Sequence, residues 1–217
     1  MSKVAILLSG CGVYDGAEIH ESVLTMLALS QRGVAYQCFA PDLLQLHVIN
    51  HRTGEVAEGE QRNVLVEAAR IARGDILPIS ELDPAEYSAL FVPGGFGAAK
   101  NLCDFAVNGK NCEIQPQVME VCQAFANSGK PAGYMCIAPA LAARVYGQQV
   151  KLTIGNDPAT ADALVAMDAT HVSCQVQDIV VDESRKLVTT PAYMLAQNIA
   201  EAAVGINKLV DKVLSLV

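Results

Sequence analysis

Cys136 stands where an apolar run, PAGYM (131–135), gives way to a small-residue run, IAPA (137–140). A buried core cysteine needs no such junction, whereas a nucleophile held on a sharp turn between a strand and a helix does. Ala138 is small and Pro139 suits a first helical turn, so the thiol is expected to face the positive end of a new helix. That setting lowers a thiol pKa and favours the thiolate. A second loop, PGGFGAAKN (93–101), offers Gly94 and Gly95. Without Cβ atoms, their backbone N–H groups can approach a substrate oxygen and stabilise an oxyanion formed by attack on a carbonyl. Glu21, in EIHE (18–21), opens a helix beside a third loop. A carboxylate and a thiolate ~4 Å apart repel by about 4 kcal/mol at an effective dielectric of ~20. Glu21 is therefore expected to keep its proton and to donate to the sulfur.

Other chemistries fit less well. The stretch GCGVYDG (10–16) follows a strand, but its third glycine, Gly16, falls one place late for a dinucleotide fingerprint and Asp15 fills the required slot. EIHE is not HExxH, and the seven cysteines contain no CxxC pair, so neither a zinc protease nor a zinc ribbon is expected. No metal and no cofactor are expected. Cys38 and Cys122 read as buried, inert thiols.

These residues need a scaffold, and the chain alternates strand and helix patterns throughout. VAILLSG, VAYQCFAPD, YSALFVPGG, PAGYM, VKLTIG, DIVVD and KLVTTP read as strands, the last two paired through DESR. HVINHRTGEVAEG reads as a hairpin around Thr53-Gly54. EIHESVLTMLALSQRG, with Ile19, Val23, Leu24 and Leu27 at helical spacing, ends at Gly33. Further helices follow in NVLVEAARIARG, QPQVMEVCQAFANSGK, IAPALAARVYG and NDPATADALVAM, with Asp157 as N-cap. Two more, AYMLAQNIAEAAVG and INKLVDKVLSLV, close the chain. The expected fold is one α/β domain, 1–217, with a doubly wound, mostly parallel sheet. Ligands in such sheets sit beyond the carboxyl ends of the strands, where the three loops fall.

With 52% hydrophobic and 18% charged residues, the chain can fill a large core. A net charge of −8 without a dense basic run argues against nucleic-acid and membrane partners. The apolar run VAILL is shorter than the ~7–15 residues of a signal h-region. Together with an odd cysteine count, this points to reduced thiols in the cytoplasm.

SGCGVYDGAEIHE, VINHRTGE, RNVLVEAARI, VPGGFGAAKNL, MCIAPA and TTPAYMLAQNIAEAA carry a resemblance that spans nearly the whole chain. They are similar to the PfpI-like branch of class I glutamine amidotransferase-like proteins, the branch that holds the Parkinson-linked deglycases. The resemblance implies a flavodoxin-like α/β sandwich, a homodimer, and cofactor-independent glyoxalase or deglycase-type activity on a small reactive aldehyde. It also hints at an isoprenoid connection. On its pattern Cys136 matches the nucleophile, Glu21 the carboxyl group beside it, and Gly95 and Ile137 the oxyanion-hole positions. Peptidase members carry His directly after the cysteine, where this chain has Ile137; other members place His after the next strand, where it has Gly155 and Asn156. His20 and His171 are the histidines left to assist. Without a triad base, peptidase and amidase chemistry is disfavoured, because an amine leaving group must be protonated. The alternative of a different class is a non-enzymatic redox-sensing or regulatory protein using the same Cys136.

Overall fold

The computed structural model describes residues 3–217; Met1 and Ser2 of the expected domain lie outside them. In chain order the elements are β1 (Val4–Leu7), α1 (Ile19–Gln31), β2 (Tyr36–Ala40), β3 (Ile49–Asn50), β4 (Glu55–Val56), α2 (Val64–Ile71), β5 (Ile76–Pro78), β6 (Leu90–Val92), α3 (Phe105–Asn108) and α4 (Pro116–Asn127). There follow β7 (Ala132–Met135), α5 (Pro139–Tyr146), β8 (Lys151–Leu152), α6 (Pro158–Val165), β9 (Thr170–His171), β10 (Val180–Asp182), β11 (Leu187–Thr190) and α7 (Ile199–Ser215). A π-helical turn, Ala98–Leu102, lies between β6 and α3.

The central sheet has seven strands in the order β10-β11-β7-β6-β1-β2-β5. All its pairings are parallel except β10 against β11. Alternation along β1 divides the core. Ala5 and Leu7 join the side packed by α4 and α5, while Val4 and Ile6 join the side packed by α1, α2 and α7. The chain runs outward from β1 through β2 to β5, then returns to the other flank of β1 as β6. The β1/β6 boundary is thus the point where successive crossovers diverge, and a crevice opens there at the strands' carboxyl ends.

Three sequence expectations are corrected. VKLTIG does make a strand, β8, but it pairs with β9 in a small parallel sheet of its own. The two C-terminal helices are one, α7, preceded by a short 3-10 turn at Ala192–Met194. Gly205 does not end a helix; a Cβ there would lie 2.5 Å from the Val176 carbonyl oxygen, so its bareness lets α7 lie close against that loop. On α1, Ile19, Val23 and Leu27 are exposed, whereas Glu21, Ser22, Thr25, Ala28 and Leu29 are buried. The helix is turned so that its carboxylate, not its large apolar stripe, faces inward.

Candidate functional site

β7 ends at Met135 and α5 begins at Pro139, and Cys136 makes the bend between them with φ of +60°. A non-glycine residue in this left-handed region costs energy and is held only by its surroundings. Here the Cys136 N–H donates to the Thr190 carbonyl at 3.0 Å, tying the bend to the end of β11. The PGG loop presses on the other side. A Cβ at Gly94 would stand 2.4 Å from Cys136 Cβ, so glycine is required for this approach.

α1 brings Glu21 to the same spot. Glu18 caps the helix by accepting from the Glu21 N–H at 2.7 Å, and its own N–H donates to the Gly94 carbonyl at 3.0 Å. Glu21 is fully buried; Oε2 accepts from the Gly94 N–H at 2.8 Å and Oε1 from the Tyr193 N–H at 3.1 Å. Burial, then the charge of Glu18, push the Glu21 carboxyl up to about 8, despite these donors and a hydrogen bond with the Cys136 thiol. That is the direction expected for a carboxyl sharing a dry site with a thiol.

Cys136 departs from expectation. Burial and the nearby Glu21 carboxylate raise its thiol well above the ordinary value, although the Gly95 and Ile137 N–H groups hydrogen-bond the sulfur and favour the thiolate. The start of α5 does not outweigh desolvation. Two buried groups a hydrogen bond apart cannot both be anions, so the pair exchanges protons as a unit. Among the seven thiols, only Cys112 is held below its ordinary value.

The structure therefore brings Cys136, Glu21, Gly95 and Ile137 together, and assigns Gly94 differently: its N–H is spent on Glu21, not directed at a substrate. Above the sulfur lies a cavity of about 290 Å³, walled by Val13, Phe96, Phe105, Tyr193 and Met194. Its walls are mostly apolar, which suits a small, weakly hydrated ligand. The histidines separate. His171 does not line the cavity, and its Nε2 accepts from the Ile154 N–H at 3.3 Å. His20 reaches the cavity indirectly, with Nδ1 2.8 Å from the hydroxyl of Tyr193. Sequence reasoning missed Tyr193 and Met194. They follow the carboxyl end of β11, and the rule that ligands gather beyond parallel strand ends could have found them.

Among the described residues no group of three or more His, Cys, Asp or Glu side chains is placed to hold a metal ion. Among the same residues, no helix is long and apolar enough to cross a membrane.

No family model matches the chain. Individual proteins do. The human glutamine amidotransferase-like class 1 domain-containing protein 3, mitochondrial, is 46% identical over 224 residues, covering 99% of this chain and 83% of the human protein. The crystal structure of an isoprenoid biosynthesis protein with amidotransferase-like domain from Ehrlichia chaffeensis superposes with a TM-score of 0.93 at 34% identity, over 100% of this chain and 99% of that one. A DJ-1 superfamily protein from Salmonella typhimurium shares the fold at 19% identity, with a TM-score of 0.57 over 100% of this chain and 88% of its own. The cytoplasmic expectation is overturned by the human protein and by its rat and zebrafish counterparts, all named as mitochondrial. Its basis was reduced thiols, and these do not distinguish the cytoplasm from other reducing compartments. On identity and coverage together, the chain belongs to the ES1-type family of glutamine amidotransferase-like class 1 domain proteins, and it shares its fold with DJ-1 superfamily proteins.

Proposed function

We propose that the protein is a cofactor-independent glyoxalase that converts glyoxal, or a similar small dicarbonyl, to the hydroxy acid through Cys136 and Glu21. One observation carries the reading. A thiol on a strained bend lies at the floor of a small apolar cavity, and a buried carboxyl group raised to about 8 stands behind it. Related deglycase-type substrates belong to the same reading, as does a place in isoprenoid metabolism, which rests on the name of the Ehrlichia protein.

The chemistry needs no added redox partner. In the monoanion of the pair, the tautomer with a Cys136 thiolate and a protonated Glu21 adds to one aldehyde carbon. A C–S bond forms, and the former carbonyl oxygen takes the Glu21 proton, giving a hemithioacetal. Sulfur no longer carries charge, so nothing now repels the Glu21 carboxylate. It removes the hydrogen from the sulfur-bearing carbon and returns a proton to the neighbouring carbon, while the hydroxyl proton on the first carbon passes to the oxygen of the second. The first carbon is thereby oxidised to a thioester and the second reduced to a CH₂OH group. Water cleaves the thioester, and glyoxal plus water becomes glycolate plus a proton. The Gly95 and Ile137 N–H groups, which find no backbone acceptor, serve the sulfur first and the oxyanion afterwards.

Glycolate release is followed directly in an amine-free buffer. Cys136→Ser is expected to lose about 10²-fold or more, because no thiolate remains. Glu21→Gln is expected to lose a similar factor, because an amide cannot carry the proton. Wild-type turnover should rise with pH towards about 8, as the pair gives up its first proton. Full glycolate production by Glu21→Gln would remove Glu21 as the proton carrier and turn attention to Tyr193 and His20. Oxidation of Cys136 by dilute peroxide with no turnover would favour the regulatory alternative. A second copy of the chain, as a homodimer, belongs to the same proposal.

A further inference from the structure

A second thiol pair lies outside the Cys136–Glu21 site. Cys103 sits in a short antiparallel bridge opposite Ile114, closed by the Asp104 N–H to Glu113 carbonyl bond (3.1 Å) and the Gln115 N–H to Leu102 carbonyl bond (2.9 Å). Cys112, two residues before Ile114, shares its face and lies diagonally across from Cys103. Both side chains are buried in one apolar cluster.

We propose that Cys103 and Cys112 form a hydroperoxide-oxidisable dithiol whose disulfide remodels one wall of the Cys136 cavity.

The two thiols are unequal, as such a pair requires. Cys103 and then the Arg144 guanidinium, which donates to the Lys110 carbonyl, lower the Cys112 thiol against the opposing effect of burial. Cys103, beside Cys112 and itself buried, is pushed up. Cys112 is thus the attacking thiolate and Cys103 the resolving thiol. In the first step the Cys112 sulfur attacks a peroxide oxygen. An S–O bond forms, the O–O bond breaks, and the departing hydroxide takes a proton to become water. In the second step Cys103 attacks the Cys112 sulfenic sulfur. The S–S bond forms, the S–O bond breaks, and the leaving oxygen departs as water with the Cys103 proton. Two thiols and one hydrogen peroxide give one disulfide and two waters.

Peroxide reaches the buried Cys112 when the loop between the two cysteines opens beside a surface groove. Cys103 lines a surface groove of about 270 Å³ beside Lys100, Glu113 and Pro116. Between the two cysteines Ala106, Val107, Asn108, Lys110 and Asn111 are exposed, so the loop opens at little cost in packing. The same loop carries the coupling. Phe105 and Ala106 lie within it and also wall the Cys136 cavity. The Cys103 S–H donates to the Ala98 carbonyl at 3.3 Å, at the start of the π-turn whose Ala99 is a further wall residue. Oxidation removes that donor and ties the loop across its base.

The full-length protein is reduced, treated with stoichiometric hydrogen peroxide, blocked and digested with trypsin without reductant. The expected product links the peptides 101–110 and 111–144, because trypsin does not cut before Pro131, and fragment masses place the bridge on Cys103 and Cys112. It should form in wild type and in Cys136→Ser alike. Cys103→Ala should instead leave a Cys112 sulfenic acid that dimedone traps, in a protein whose circular dichroism matches wild type. If both cysteines stay free at a peroxide dose that oxidises Cys136, the dithiol is overturned, whatever the variants do. In the oxidised wild type, the alkylation rate of Cys136 should change by about threefold or more and recover with dithiothreitol. An unchanged rate with the disulfide present would overturn the link to the cavity. Neither readout involves glyoxal, so a failed glyoxalase reading and a failed dithiol are told apart.

Discussion

Glu21 has a folded-state pKa of about 8, whereas an unfolded glutamate loses its proton near ~4.3. Between those values the native protein holds a proton that the unfolded chain has released. The stability linked to this group is complete below ~4.3 and is lost as pH rises through about 8. Glu21→Gln removes the titration but supplies one acceptor oxygen to two N–H donors, those of Gly94 and Tyr193. The variant should therefore melt below wild type near pH 5, and the gap should narrow steadily towards pH 8.5. A gap independent of pH would mean that Glu21 is ionised throughout. The residue types at this site were legible because each has a local reason: glycine for approach, proline after the bend, an acid at a helix start. The charge state was half legible. Glu21 behaves as the like-charge argument requires, but the thiol's burial is a sum over three loops that no local pattern reports.

At the scale of elements, α7 poses a contest between propensity and packing. Gly205→Ala gains about 1 kcal/mol of helix propensity. The new Cβ would stand 2.5 Å from the Val176 carbonyl and 2.8 Å from Thr190 Oγ1. Relieving such overlap costs about 1–3 kcal/mol when backbone must move. Packing should win, and Gly205→Ala should lower the melting temperature by a few degrees; a higher one would show that the loop at Val176 yields freely. The same contest explains the misread helix boundary, since an isolated glycine looks alike whether it ends a helix or admits a neighbour. On α1, helical spacing of Ile19, Val23 and Leu27 signalled the helix correctly but not its buried face. The bonds from Gly94 and Tyr193 to Glu21 set that rotation, and they are contacts with residues more than seventy positions away.

For the whole molecule, the rotation of α1 leaves Ile19, Val23 and Leu27 facing outward as one apolar stripe. The family resemblance implies a homodimer, and a second copy covering apolar surface of this kind is the expected occupant. Light scattering at micromolar protein should give about twice the 23.0 kDa chain mass; a monomer across that range would remove the dimer from the proposal.

Local chemistry determined much of this protein. Alternating strand and helix patterns dictated a parallel, doubly wound sheet, because helices must cross over between parallel strands. Glycine and proline placed three loops at strand ends, and a thiol on a strand-to-helix bend marked the centre. Only the folded chain decided that Gly94 serves Glu21, that Tyr193 walls the cavity, and that His20 stands behind Tyr193 from the opposite end of the sequence. It also decided that Cys112, unremarkable in sequence, lies beside Cys103 and Arg144. Hydrogen bonds, burial and charge act through space over a few ångströms, and neighbours at that range are set by topology, not by sequence separation.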